Sequence, residues 1–170
     1  EPGERKPREL IFRTGSNNAT EKAVHAALKW LDKHQMADGS WSFDHRQCPA
    51  CQGKCGNPGS LADAPNAATG LALLAFLGAG QTHQAGEYRS TVKAGLDYLV
   101  GHLQEGPQGG SLHESGGTMY SHGIAALALC EAYALSTDTK LKAPAQKAID
   151  FICFAQDPVG GGWRDMPRQP

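Results

Sequence analysis

Ala27-Leu28-Lys29-Trp30-Leu31, followed past a helix end by Gln35-Met36-Ala37-Asp38-Gly39-Ser40-Trp41, decides the reading of this chain, because both pieces return. Gly95-Leu96-Asp97-Tyr98-Leu99 and Ala148-Ile149-Asp150-Phe151-Ile152 repeat the first piece at offsets of about 68 and 53 residues, with an aromatic at the same place each time. The second piece returns as Gln156-Asp157-Pro158-Val159-Gly160-Gly161-Gly162-Trp163, and in a degenerate middle copy that ends Gly109-Gly110-Ser111-Leu112. Repeats of this length are helix pairs with their loops. In such a turn the glutamine amide can donate to the unpaired carbonyls of the helix end. The glycines permit the left-handed backbone that stops the helix, and the tryptophan folds back over the exposed end.

Working outward, the helices alternate in character. The first, capped by Asn18 or Thr20, places Val24, Leu28, Leu31 and Gln35 on one face and ends near His34. Asp63 and Pro65 open a second whose run from Gly70 to Leu77 has no polar face, so it should be enclosed by others. Ser90 to Leu103 is amphipathic again, with Val92, Leu96, Leu99, Val100 and Leu103 on its stripe. Thr118 or Ser121 caps another almost charge-free helix, Ile124 to Cys130 and on to Tyr133–Leu135. Pro144 is read as the first turn of the last helix, with Ala145, Ile149, Ile152 and Ala155 on its face. The expected fold is all-α, about five helices in antiparallel hairpins. Residues 1–18, with two prolines and alternating charges, form an N-terminal arm with an extended piece at Leu10-Ile11-Phe12. Residues 19–170 form the domain, interrupted by a Cys-rich loop at 44–60. Leu71, Leu74, Phe76 and Leu127 should line the buried inner wall, with Trp30, Tyr98 and Phe151 at equivalent places on outer helices.

Composition narrows the function classes. The 170 residues carry Lys+Arg 16 against Asp+Glu 17, so no basic stripe is available for a nucleic-acid backbone. With 40% hydrophobic and 19% charged residues the chain can bury a core. The longest uncharged apolar stretch, Ala64 to Gly80, holds Pro65 and Asn66 and falls short of the roughly 20 residues of a membrane span. No signal peptide is visible; a chain beginning at Glu1 fits a cytoplasmic protein or one exported after loss of a signal.

Lys147-Ala148, Phe151, Ile152, Gln156 and Gly161-Gly162-Trp163, and equally Gln35 to Trp41, resemble the QW repeat of squalene-hopene cyclases and related prenyltransferase/squalene-oxidase repeat proteins. With Met119-Tyr120-Ser121-His122-Gly123 the chain also resembles the squalene-cyclase-like proteins of planctomycete bacteria, and the similarity covers Thr20 to Asp165. The resemblance implies an α/α toroid, of which about five helices make only an arc. It also implies a proton-donating DxDD motif in an active cyclase, and no such motif stands here, the aspartates being scattered singly. The expectation is therefore a module, not catalytic alone, that binds an apolar, isoprenoid-like small molecule or a protein partner. Uncovered helix flanks would favour self-association into a homo-oligomer. The alternatives are a terpene cyclase fragment whose catalytic half lies elsewhere, or a toroid-fold polysaccharide (pectate) lyase, which Ala155 to Trp163 also resembles loosely.

Two groups of residues carry chemistry. His122 and Tyr120 at the start of the second apolar helix, with Glu114 and His113 just before, could form a small acid/base or anion site, but the favoured reading is that His122 and Tyr120 satisfy local backbone groups. Cys48, Cys51, Cys55 and the preceding His45 put four soft donors in one loop, the donor set of a structural zinc ion. The connection from His34 to Asp63 exceeds two dozen residues where helix connections usually take roughly 2 to 8, so something must close it. Zinc, a disulfide from Cys55 to one of the other two, and unbridged thiols all remain open here. Cys130 and Cys153 fall in apolar helical patterns and read as small hydrophobes.

Overall fold

A computed structural model describes residues 18–168; of the arm expected at 1–18, residues 1–17 lie outside them, and Asn18 is already the first residue of a helix. The described residues form five helices: α1 (Asn18–Lys33), α2 (Pro65–Gly78), α3 (Arg89–Gly101), α4 (Thr118–Ser136) and α5 (Thr139–Ala155). A single 3-10 turn spans His45–Gln47. The fold is all-α apart from one small hairpin, β1 (Gln104–Gly106) and β2 (Gly109–Ser111), in which Gly106 faces Gly109. That hairpin replaces the loop expected in the middle copy of the repeat.

The apolar helices α2 and α4 pack on each other most extensively, and α1, α3 and α5 flank them. A Cβ on Gly70 would sit 3.0 Å from the Ala125 backbone, so glycine is what lets the two axes approach this closely. Leu73, Phe76, Leu77, Val92, Leu99 and Leu129 fill the space between the helices with almost no exposure. The enclosure expected of α2 and α4 is incomplete, however. Leu71 is 45% and Leu127 55% exposed, against the expectation that both are buried. With Ala75 and Tyr120 they form an open apolar row, because among the described residues no further layer of helices covers the side away from α1, α3 and α5.

Three helix starts also differ from expectation: α4 has Gly117 at its N-cap and no side-chain cap, where Thr118 or Ser121 was expected. Asp63 does not cap α2; Glu114, from the segment before α4, does so by accepting from the N–H groups of Asn66 at 3.1 Å and Ala67 at 3.2 Å. Helix α5 begins at Thr139, where Asp138 accepts from the Lys140 N–H at 3.0 Å, so Pro144 lies inside the helix rather than in its first turn. The carbonyl that Pro144 leaves without its intrahelical donor belongs to the exposed Lys140, where water can take it.

The repeat is visible in hydrogen bonds. Trp41 Nε1 donates to Leu31 O and Trp163 Nε1 to Ile152 O, both at 2.8 Å. Gln35 Nε2 donates to Gly39 O at 2.9 Å, and Gln156 Nε2 to Gly161 O at 2.6 Å. The division of labour is therefore the reverse of the simplest expectation: the indole satisfies the helix-end carbonyl and the glutamine ties the turn to itself. In the middle copy the Leu112 N–H donates to His122 Nδ1 at 3.0 Å, as the Trp41 N–H does to Thr69 Oγ1 at 3.0 Å. Thr69 and His122 occupy the same step of α2 and α4, one turn into each helix. On the flanking helices Trp30 stacks on His34 with ring centroids 3.8 Å apart, and Tyr98 on His102 at 3.9 Å. In the third copy Ala155 stands where those histidines stand, and Phe151 meets His122 edge-on instead.

Candidate metal centre

The last turn of α1 delivers His34. Its Nδ1 lies 2.7 Å from Trp30 O, which can only accept, so Nδ1 carries the proton and Nε2 presents its lone pair. Cys55 Sγ stands 3.3 Å from that Nε2. A donor atom of each of His34, Cys51 and Cys55 lies within 4.8 Å of the others, and this group could hold a metal ion.

The loop reaches this arrangement by short turns. Asp44 caps the 3-10 turn, accepting from the Arg46 N–H and from the Arg46 guanidinium at 2.9 and 2.8 Å. The Cys51 N–H then donates to Cys48 O and the Lys54 N–H to Cys51 O, each at 3.0 Å. Gln52 and Gly53 both take left-handed backbone, at φ 52° and 69°, which folds Cys55 back beside Cys51. The backbone N–H of Cys55 is the main reason that the Cys51 thiol is lowered to about 7; His34, the Cys55 side chain and the Gly53 N–H add to it, against the opposing effect of burial. Cys51 thus holds substantial thiolate at neutral pH, the form that binds a metal.

Of the four ligand candidates read from the sequence, the structure brings Cys51 and Cys55 together. Cys48 is buried with its sulfur 3.6 Å from Lys33 O and 3.8 Å from Gln35 O, outside the group. His45 also lies outside the group but beside it, its ring edge-on to His34 at 5.8 Å between centroids, and its Nε2 is buried without a hydrogen-bond partner among the described residues. Sequence reasoning missed His34, taking it as the end of a helix. Its signal was position: a rigid helix end at the mouth of a loop containing a Cys-x3-Cys pair is where a third ligand must come from.

Beside the group lies a cavity of about 230 Å³, walled by Trp30, Leu31, Trp41, Phe43 and Leu71, with His34 and His45 at its polar side. Aromatic walls with a few polar groups are the composition of small-molecule sites.

The other candidates lie apart from this group. His122 is fully buried; Nδ1 accepts from Leu112 and Nε2 lies 3.1 Å from Ala148 O, so the ring ties α4 to α5. Burial lowers its pKa to about 4, with the Ala148 carbonyl opposing and His113 adding slightly. It is neutral at physiological pH with both nitrogens engaged. Glu114 caps α2, and Tyr120 is 72% exposed. Among the described residues no helix is long and apolar enough to cross a membrane. Comparison with protein-family models, with curated proteins and with solved structures finds no match to this chain.

Proposed function

We propose that the chain is a squalene-cyclase-like, prenyltransferase-repeat module that binds an apolar, isoprenoid-like ligand in the cavity walled by Trp30, Trp41 and Phe43, and that it carries a structural zinc ion at His34, Cys51 and Cys55. It does not cyclise polyprenes by itself. The observation that carries the reading is the contiguity of the two sites: His34 belongs both to the metal-ligating group and to the wall of the aromatic cavity. Two thiols and an imidazole suit zinc, and an ion there would fasten the long connection between α1 and α2 to a helix end. The repeated Gln and Trp bonds support the family resemblance. The open row of Leu71, Tyr120 and Leu127 supports the partner-binding form of the proposal, since an uncovered apolar row on a helix layer is a surface for another protein.

Titration of the chain with farnesol by calorimetry tests the ligand. Saturable binding that Trp30→Ala weakens supports it, whereas no binding, or binding indifferent to Trp30 and Phe43, overturns it. Conversion of squalene or of polygalacturonate by the chain would replace the binding role with an enzymatic one. Metal analysis of protein purified without added zinc, with thiols counted before and after denaturation, tests the ion. Close to one zinc per chain supports it, and two missing thiols with no metal would establish a disulfide in its place.

A further inference from the structure

We infer that His45, and not Cys48, completes the metal site, so that the ion is held by His34, His45, Cys51 and Cys55. This rests on the zinc reading above and goes beyond it by choosing between the two remaining donors of the loop.

Three observations separate them. First, the Nε2 atom of His45 is buried and has no hydrogen-bond partner among the described residues, a state that native proteins resolve with an ion or a water. Second, the His45 and His34 rings stand edge-on, 87° between planes and 5.8 Å between centroids. Two imidazoles sharing a tetrahedral zinc through bonds of about 2 Å have centroids about 5 Å apart, so the ring separation is close to that arrangement, and the His45 side chain, which lies outside the 4.8 Å group, completes it by turning its nitrogen toward the ion. Third, the Cys48 sulfur faces the carbonyl oxygens of Lys33 and Gln35. Two carbonyls welcome an S–H donor and repel an anionic ligand, and turning the sulfur toward the ion would surrender both contacts of a residue only 1% exposed. Cys48 therefore anchors the loop to the end of α1, and His45, one turn earlier, is the remaining donor of the loop beside the group. Asp44 and Arg46 fix the backbone on either side of it, which positions the ring ahead of metal arrival.

The test uses the full chain under reducing conditions, titrated with Zn²⁺ against a chromogenic chelator and, separately, with Co²⁺, whose sulfur-to-metal absorption counts bound thiolates. Cys48→Ala should bind one zinc with affinity within about twofold of the parent, and His45→Ala should bind at least about tenfold more weakly. Co²⁺ should report two thiolates in the parent and the same two in Cys48→Ala. Three thiolates in the parent, or loss of zinc from Cys48→Ala with His45→Ala unaffected, would overturn the choice of His45 while leaving zinc in place. Failure of the parent to bind either ion would instead remove the zinc reading itself. Should His45→Ala fail to fold by circular dichroism, the thiolate count in the parent still decides.

Discussion

The turn after α1 and the turn after α5 make the same bonds and live in different surroundings. In both, a tryptophan caps the helix-end carbonyl and a glutamine ties the turn. Yet Trp41 is 4% exposed and Trp163 54%. Trp41 is roofed by the next helix pair: Phe76 of α2 lies 6.1 Å from it, ring to ring, and Gly95 of α3 lies beneath its edge. Gln35 likewise makes a second bond to Thr91 O on α3 at 2.9 Å, whereas Gln156 bonds within its own turn. The turn is therefore a local device that sets geometry, and its stabilisation comes from the unit that packs on it. Apolar area removed from water, not the shared hydrogen bonds, separates the two copies.

The sharpest way to break this comparison is to truncate both tryptophans. Trp41→Ala should cost about 3–5 kcal/mol in urea unfolding and Trp163→Ala about 1 kcal/mol or less. Equal costs would mean that the cap bond, not the packing, dominates. The Thr69 and His122 pair extends the comparison to acid. The folded chain keeps His122 neutral down to about pH 4, while an unfolded histidine protonates near 6.5. The unfolded state therefore binds more protons between those values. The contribution is complete above pH 6.5 and is lost as pH falls toward 4, by at most about 3 kcal/mol. Unfolding midpoints across that range check it, and His122→Gln, though less stable at pH 7, should flatten the slope. Gly95→Ala probes the roof directly, because a Cβ there would meet Trp41 at 2.9 Å and Leu73 at 3.0 Å. It should lower stability by about 1–3 kcal/mol. Of the glutamines, Gln35→Ala should cost about 1–2 kcal/mol, and the smallest effect belongs to Gln156→Ala at about half a kcal/mol, read from the same unfolding curves.

Periodicity and turn chemistry made the five helices and the repeat legible from sequence, because apolar stripes and Gly-rich stops are local signals. What escaped is non-local. Whether Leu71 and Leu127 are covered depends on a layer the residues themselves do not encode, so an apolar helix reads as enclosed when one side is open. The cap of α2 comes from Glu114, nearly fifty residues on, and no nearby residue betrays it. In the group that could hold a metal ion, Cys51 and Cys55 were legible because they lie in one short loop. His34 was not, since a helix end and a loop tip meet only after the chain folds back. The role of His122 was half visible: its place at a helix start could be read, but its equivalence to Thr69 emerges only when both accept an N–H from the same step of the repeat.

The stack of Trp30 on His34 has an optical consequence. The indole lies 3.8 Å from an imidazole whose far nitrogen faces the two thiols, so any ion on that nitrogen sits one ring away from a fluorophore. Of the three tryptophans, Trp163 caps the other end of the repeat array and reports from outside the cavity. A paramagnetic ion should quench the emission of Trp30 most strongly, a diamagnetic one should leave its intensity largely intact, and Trp30→Phe should abolish the difference. Trp30 emission would thereby report a paramagnetic probe ion such as Co²⁺ at this group, and zinc through its displacement of that ion, without a label and at concentrations far below those that calorimetry needs.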